Sequence, residues 1–198
     1  MIQSNTEPTR CPWCLSDPVY LEYHDSEWGF PSHDDHTQFQ FLVLESAQAG
    51  LSWLTILKRR EGYRSLYENF DPERVARFDQ QRISRMLADP SIIRNRMKIE
   101  ASVSNAQKFL NLRDEHGSFC DYLWTFMESR QTVNRFEKLE DIPATTALSD
   151  AIAKDMKKRG FRFLGSTILY AHLQATGLVN DHLVSCDRHS QCIHEKKT

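Results

Sequence analysis

Glu45 and Gln48 stand three residues apart in the stretch Leu44–Trp53 (LESAQAGLSW), and on a helix that spacing puts them on one face. The helix around them is otherwise greasy. Between Gln38 and Ala49 the apolar residues Phe39, Phe41, Leu42, Val43, Leu44, Ala47 and Ala49 cover almost the whole circumference, as in a helix at the centre of a domain. A carboxylate in such surroundings is costly unless it is paired. The Glu45 face therefore either meets water or lines a cavity with a task. Trp13, Tyr23, Trp28 and Trp53 lie near it along the chain. Large rings usually fill cores, but flat rings beside a carboxylate also suit an extruded nucleobase, and a cationic base would gain from both.

Cysteines and histidines form a second constellation. Cys11 and His24 lie near one end, His182 and Cys186 near the other. His182-x3-Cys186 sets two ligands one helical turn apart, a spacing that suits zinc, and a closed set of two cysteines and two histidines would make a structural site. Cys14, His189, Cys192 and His194 are competing ligands, and a chance scatter has the same appearance. Five cysteines, an odd count, fit metal ligands or free thiols better than disulfides.

A third constellation is basic. Lys154, Lys157, Lys158, Arg159 and Arg162 surround the segment Gly160–Gly165. A helix opening at Ser166 and Thr167 offers unpaired amides to an anion. With Gly160, Arg162 and Gly165 they could grip a DNA phosphate run without reading sequence. An ordinary helix–helix turn with a solvated basic face fits the same residues.

The elements that must position these groups are helices. Pro18–Asp25 suits a short one, and Asp34 or Asp35 can cap the buried one, which Gly50 ends. Ser52 to Phe70 has helical spacing, Asp71-Pro72 and Asp79 open short helices, and Ile92 to about Leu112 reads as a long amphipathic helix. Ser118 starts another, and Glu128–Thr145 reads as a loop. Thr146–Arg159 and Ser166–Thr176 are helices joined by a tight hairpin. The expected fold class is all-α, with about eight helices and no strand pair. Residues 1–10 form a flexible N-terminus, 11–186 one helical domain and 187–198 a tail. With 198 residues, 40% hydrophobic and 26% charged, the chain can build a real core. A net charge of −2 gives no global field for nucleic acid, so local clusters must carry that interaction. No apolar run is long enough to span a bilayer and the start lacks a signal-peptide core, so the expectation is a cytoplasmic monomer with no membrane partner.

Taken together, CPW near the start, YHDSEWG at 23–29, LESAQAGLSW at 44–53, KKRGFRFLGSTILYAHLQATG at 157–177 and VNDHLVSC at 179–186 resemble the bacterial 3-methyladenine DNA glycosylase I family, a branch of the helix-hairpin-helix DNA glycosylases. The resemblance runs from Cys11 to Cys186; IIRNRMK at 92–98 matches only in outline, and Cys14 and the tail depart from the pattern. It implies a helix-hairpin-helix glycosylase fold whose terminal segments are joined by one structural Zn2+ on Cys11, His24, His182 and Cys186. It also implies a base pocket of Trp13, Tyr23, Trp28, Glu45 and Trp53, and a DNA hairpin at Gly160–Gly165. The implied substrate is double-stranded DNA carrying an alkylated adenine. The implied reaction is hydrolysis of the bond from 3-methyladenine to deoxyribose, with the base flipped into the aromatic pocket. Methylation at N3 makes that base cationic, so Glu45 is expected to accept hydrogen bonds from it while Trp53 and Tyr23 bracket the ring. Asp181 is a second candidate carboxylate. No lysine stands where a Schiff base would form, so base release without strand cleavage is expected. Two rival readings are a non-catalytic zinc-containing DNA-binding module and a metal phosphohydrolase using His24-Asp25 and His33, Asp34, Asp35 and His36.

Overall fold

The computed structural model describes residues 8–128 and 130–193; His194 lies outside them. After a 3-10 turn at Pro12–Ser16, the chain forms α1 (Pro18–Ser26), α2 (Asp35–Gln48), α3 (Trp53–Leu57), α4 (Arg60–Leu66), α5 (Pro72–Val75), α6 (Gln80–Ala88), α7 (Arg96–His116) and α8 (Phe119–Trp124). It ends with α9 (Ala147–Lys158), α10 (Ser166–Ala175) and α11 (Asp187–Gln191). The one strand pairing among the described residues is a two-residue parallel bridge of β1 (Thr132–Val133) with β2 (Val179–Asn180). The expectation of no strand pair is corrected by that bridge, which is too short to carry a sequence period.

Caps set the helix starts. The Asp34 carboxylate accepts from the Thr37 amide at 2.9 Å and opens α2; Ser52, Asp71, Asp79, Asn95 and Ser118 do the same for α3, α5, α6, α7 and α8. Asn95 is why α7 begins later than the apolar pattern at Ile92 suggests, and α7 runs on to His116, where Gly117 ends it. The expected helical run from Ser52 to Phe70 is broken into α3, α4 and a 3-10 turn, with Glu68, Asn69 and Phe70 at positive φ.

α2 is the axis of the molecule. Every residue from Gln38 to Ala47 is buried, and α3, α7, α8 and α10 pack around it. Burying a phenylalanine or leucine side chain such as Phe39, Leu42 or Leu44 stabilises the fold by about 1.5–3 kcal/mol each. That surplus lets the same helix carry Gln38 and Glu45 inside. The histidine–aspartate stretch before it is spent on structure. Asp34 caps α2, both Asp35 oxygens accept amides of Phe119 and Cys120 at 3.0 Å, and His36 bonds the Asn69 carbonyl.

α9 and α10 pack on each other, joined by residues 159–165. The connection is a turn with no strand pairing of its own. Gly160 takes φ +90°, a conformation that favours glycine. Buried Asn105 of α7 clamps the turn like a neighbouring strand: its Nδ2 donates to the Arg162 carbonyl and its Oδ1 accepts the Arg162 amide, both at 2.9 Å. Asn105→Ala would leave both backbone groups unpaired, and we expect a loss of about 2 kcal/mol, read as a denaturation midpoint roughly 5 °C lower. An unchanged midpoint would show that the turn holds itself.

Candidate functional site

A cavity of about 270 Å³ opens between α1, α2, α3 and α10, lined by Trp13, Tyr20, Tyr23, Trp28, Glu45, Gln48, Trp53, Leu139, Ile142, Ala171 and Gln174. The structure thus brings together all five residues that the sequence nominated for a pocket. Trp13 meets Trp28 edge-on with centroids 5.1 Å apart, and Tyr23 lies 5.6 Å from Trp53 at 60°. These rings do not stack on each other; they form walls around a space.

Glu45 is 2% exposed, and its Oε2 is buried without a hydrogen-bond partner. The Trp53 indole Nε1 is likewise buried and unpaired. Unpaired buried polar atoms are costly, so their presence on one cavity wall marks a surface made for a polar occupant. Burial alone pushes the Glu45 carboxyl up to about 8, and no lysine, arginine or histidine lines the cavity to oppose that. A carboxyl raised by burial in this way gains from a positive charge placed beside it.

Next to this cavity the segment that begins at Cys11 meets the segment after β2. Cys11, His24, His182 and Cys186 are all buried, and their ligand atoms lie within 4.8 Å of one another, an arrangement that can hold a metal ion. Cys186 Sγ is 3.5 Å from His24 Nε2 and 3.6 Å from His182 Nδ1, and Cys11 Sγ is 3.7 Å from His182 Nδ1. The far ring nitrogens are also held. His24 Nδ1 faces the Asp25 carboxylate at 2.8 Å and His182 Nε2 faces the Trp28 carbonyl at 2.9 Å. Gly29, at φ +82°, lets the backbone pass; a methyl group there would come within 2.8 Å of the His182 ring. Cys14 stays outside the quartet and donates its thiol to the Cys11 carbonyl at 3.1 Å. Cys192 is buried near the Trp28 carbonyl, and His189 faces the Asn134 carbonyl at 2.8 Å.

The quartet and the cavity share a wall. Trp28 lies 4.6 Å from the His182 ring and Trp13 5.5 Å from the His24 ring. Movement at the quartet would therefore move two rings of the cavity.

Asp181 stands apart from the cavity lining. It is fully buried and accepts from Asn134 at 2.7 Å, from Gln174 at 2.6 Å and from the Tyr170 hydroxyl, an arrangement that ties β2 to α10. At the α9–α10 turn, Lys154, Lys157, Phe161, Arg162, Phe163, Leu164 and Gly165 line a shallow surface hollow. Gly165 is the N-cap of α10 and brings no side chain to it, so the first amides at Ser166 and Thr167 keep an open N-terminal end. Thr167 itself is exposed.

Tyr20, Leu139, Ile142, Ala171 and Gln174 line the cavity without having been singled out from the sequence. Tyr20 had a signal, being one helical turn before Tyr23. Leu139 and Ile142 had none, because they come from a polar loop that only folding brings to α2.

A family model described as methyladenine glycosylase matches residues 13–189. The chain belongs to that family. It is 45% identical over 177 residues to DNA-3-methyladenine glycosylase 1 of Escherichia coli (strain K12), covering 89% of this chain and 95% of that protein. It is 42% identical over 178 residues to DNA-3-methyladenine glycosylase of Haemophilus influenzae, covering 90% and 96%. A solved structure of a variant 3-methyladenine DNA glycosylase I in complex with 3-methyladenine superimposes with a TM-score of 0.87 at 39% identity, over 90% of this chain and 96% of that one. For a methyladenine glycosylase, the aromatic cavity with a buried acid is the natural candidate for the base site. Among the described residues the Cys/His quartet is the one grouping that could hold a metal, and no helix there is long and apolar enough to cross a membrane.

Proposed function

We infer that this methyladenine glycosylase releases 3-methyladenine from alkylated double-stranded DNA by hydrolysis, with the base held in the cavity between Trp13, Tyr23, Trp28 and Trp53. The observation that carries the reading is the partnerless Glu45 Oε2, sheltered among rings in a cavity with no cation of its own. A purine methylated at N3 is cationic while bound to deoxyribose, so it supplies the charge that the cavity lacks. Entry of the cation favours the carboxylate form of Glu45, which can then accept hydrogen bonds from the purine edge. Neutral adenine gains less, and that difference is the filter. Such a base is already a good leaving group, and the protein's work is extraction, selection and electrostatics. Extraction costs a few kcal/mol, offset in part by phosphates gripped at Gly160, Arg162, Gly165, Ser166 and Thr167.

The donor set fits a structural zinc. With bonds of about 2.3 Å to sulfur and about 2.0–2.1 Å to nitrogen, a tetrahedral zinc separates sulfur from nitrogen by roughly 3.5 Å, and the quartet's spacings of 3.5–3.7 Å match. The histidine partners Asp25 and the Trp28 carbonyl are what such ligands use to fix ring orientation. Four protein ligands leave no open position, so the ion would hold the two ends of the chain together and take no part in the chemistry. The same closed set argues against the phosphohydrolase reading, as does the use of Asp34, Asp35 and His36 in capping and bonding α2's surroundings.

The test is incubation with methylated duplex DNA. Chromatography should show free 3-methyladenine, the strand should stay whole, and borohydride should trap no adduct. Failure to release any base would leave a DNA-binding module instead, and a trapped adduct would sink the monofunctional reading.

A further inference from the structure

A lysine in the first turn of a helix sits at the wrong end of its own helix dipole. Lys98 is such a residue. α7 begins at Arg96, and the cap Asn95 accepts the Lys98 amide at 3.2 Å. The side chain turns away from α7 to the C-terminus of α2, where Nζ donates to the Ala47 carbonyl at 2.9 Å and to the Ala49 carbonyl at 2.6 Å. There the field has the favourable sign, and the last carbonyls of a helix need outside donors. The chain is turning at this point. Ala49 leaves helical geometry (φ −42°, ψ 113°), Gly50 takes φ +81°, and the Ser52 side chain caps α3. The turn joins two walls of the cavity, Glu45 and Gln48 before it and Trp53 immediately after it.

We propose that Lys98 is a positioning residue of the base cavity: its two hydrogen bonds set the turn at 49–52 and so hold Glu45 and Gln48 in register with Trp53. This rests on the reading of the cavity as a base site. A misplacement of a fraction of an ångström between these walls would spoil the fit of a flat ligand.

The variants Lys98→Met and Lys98→Arg test this, with binding of free 3-methyladenine followed by tryptophan fluorescence at a temperature where each is folded. We expect Lys98→Met to weaken free-base binding about 10- to 100-fold and to lower kcat/KM on methylated DNA by at least as much. Lys98→Arg, whose guanidinium can still donate to both carbonyls, should recover most of the loss. The salt dependence of DNA binding should be the same in all three proteins. A folded Lys98→Met that binds the free base like wild type would overturn the proposal. So would a salt slope shallower by about one with free-base binding intact, the mark of a lost phosphate contact. Should Lys98→Met not fold, Lys98→Gln carries the same comparison. A wild-type protein that neither binds nor releases the base would instead overturn the cavity assignment.

Discussion

Glu45→Gln is expected to cut release of 3-methyladenine from methylated DNA by about 10²-fold or more, the scale seen when a preorganised charge partner is removed from a dry site. The same change should make the protein more stable. Burial holds the wild-type carboxyl at about 8 against an ordinary value of 4.5, so the folded state keeps a proton that the unfolded chain has lost. The penalty is absent below about pH 4.5, grows between 4.5 and 8, and is full above 8. At one pH unit per 1.36 kcal/mol it reaches about 4 kcal/mol by pH 8. Glutamine has no proton to lose. Its denaturation midpoint should match wild type near pH 4 and exceed it by roughly 10 °C at pH 8. The kinetics should show the same group. If the carboxylate is the working form, kcat/KM rises with pH and levels near 8, and Glu45→Gln loses that limb. A variant that is less stable at pH 8, or that releases base at the wild-type rate, would remove position 45 from the site.

Loss of the quartet is the second large effect. Wild-type protein should carry one equivalent of zinc, and Cys11→Ser or His182→Ala should carry much less. Structural zinc binds with an apparent 10–16 kcal/mol in small peptides; forfeiting even a third of that should lower the midpoint by roughly 10 °C. Because Trp28 and Trp13 lean on the His182 and His24 rings, free-base affinity should fall together with the metal. Brief chelation of intact wild type should do little, since the ligands are buried. One equivalent of zinc retained by both variants would defeat the assignment.

The two effects meet in one geometry. The quartet joins the N-terminal segment to the segment after β2, and Thr9 and Asp187 exchange two hydrogen bonds at 3.0 Å beside it. Arg10 reaches Asp25, whose carboxyl also faces His24. Burial pushes Asp25 up, but the bonds from Arg10 and His24 outweigh it and hold the carboxyl at about 2. The carboxylate beside His24 Nδ1 is the kind of partner that fixes the orientation of such a ring.

Much of this was legible in the chain alone. The apolar girth of α2 announced a central helix, and a glutamate in it was an anomaly that needed a cavity or water. The caps Asp34, Ser52, Asp71, Asp79 and Ser118 stood where the helices begin, because capping depends on a side chain and an amide only two or three residues apart. The cysteine and histidine types were visible too, and so was the basic stretch around Gly160.

What the tertiary structure decided was how these residues meet. Glu45 faces a cavity and not water because α1, α3 and α10 close over α2, and no local pattern records that packing. Four cysteine and histidine side chains separated by up to 175 residues converge because the Gly29, Ser32 and Asp187 amides donate to the Gln174, Thr176 and Thr9 carbonyls and lay the N-terminal segment against α10 and the segment after β2. Lys98, unremarkable in IIRNRMK, finds its purpose on another helix. Side-chain periodicity and capping act over a few residues and so are written in the sequence; partnerships between distant segments depend on the summed packing of the whole chain, and exist only once it has folded.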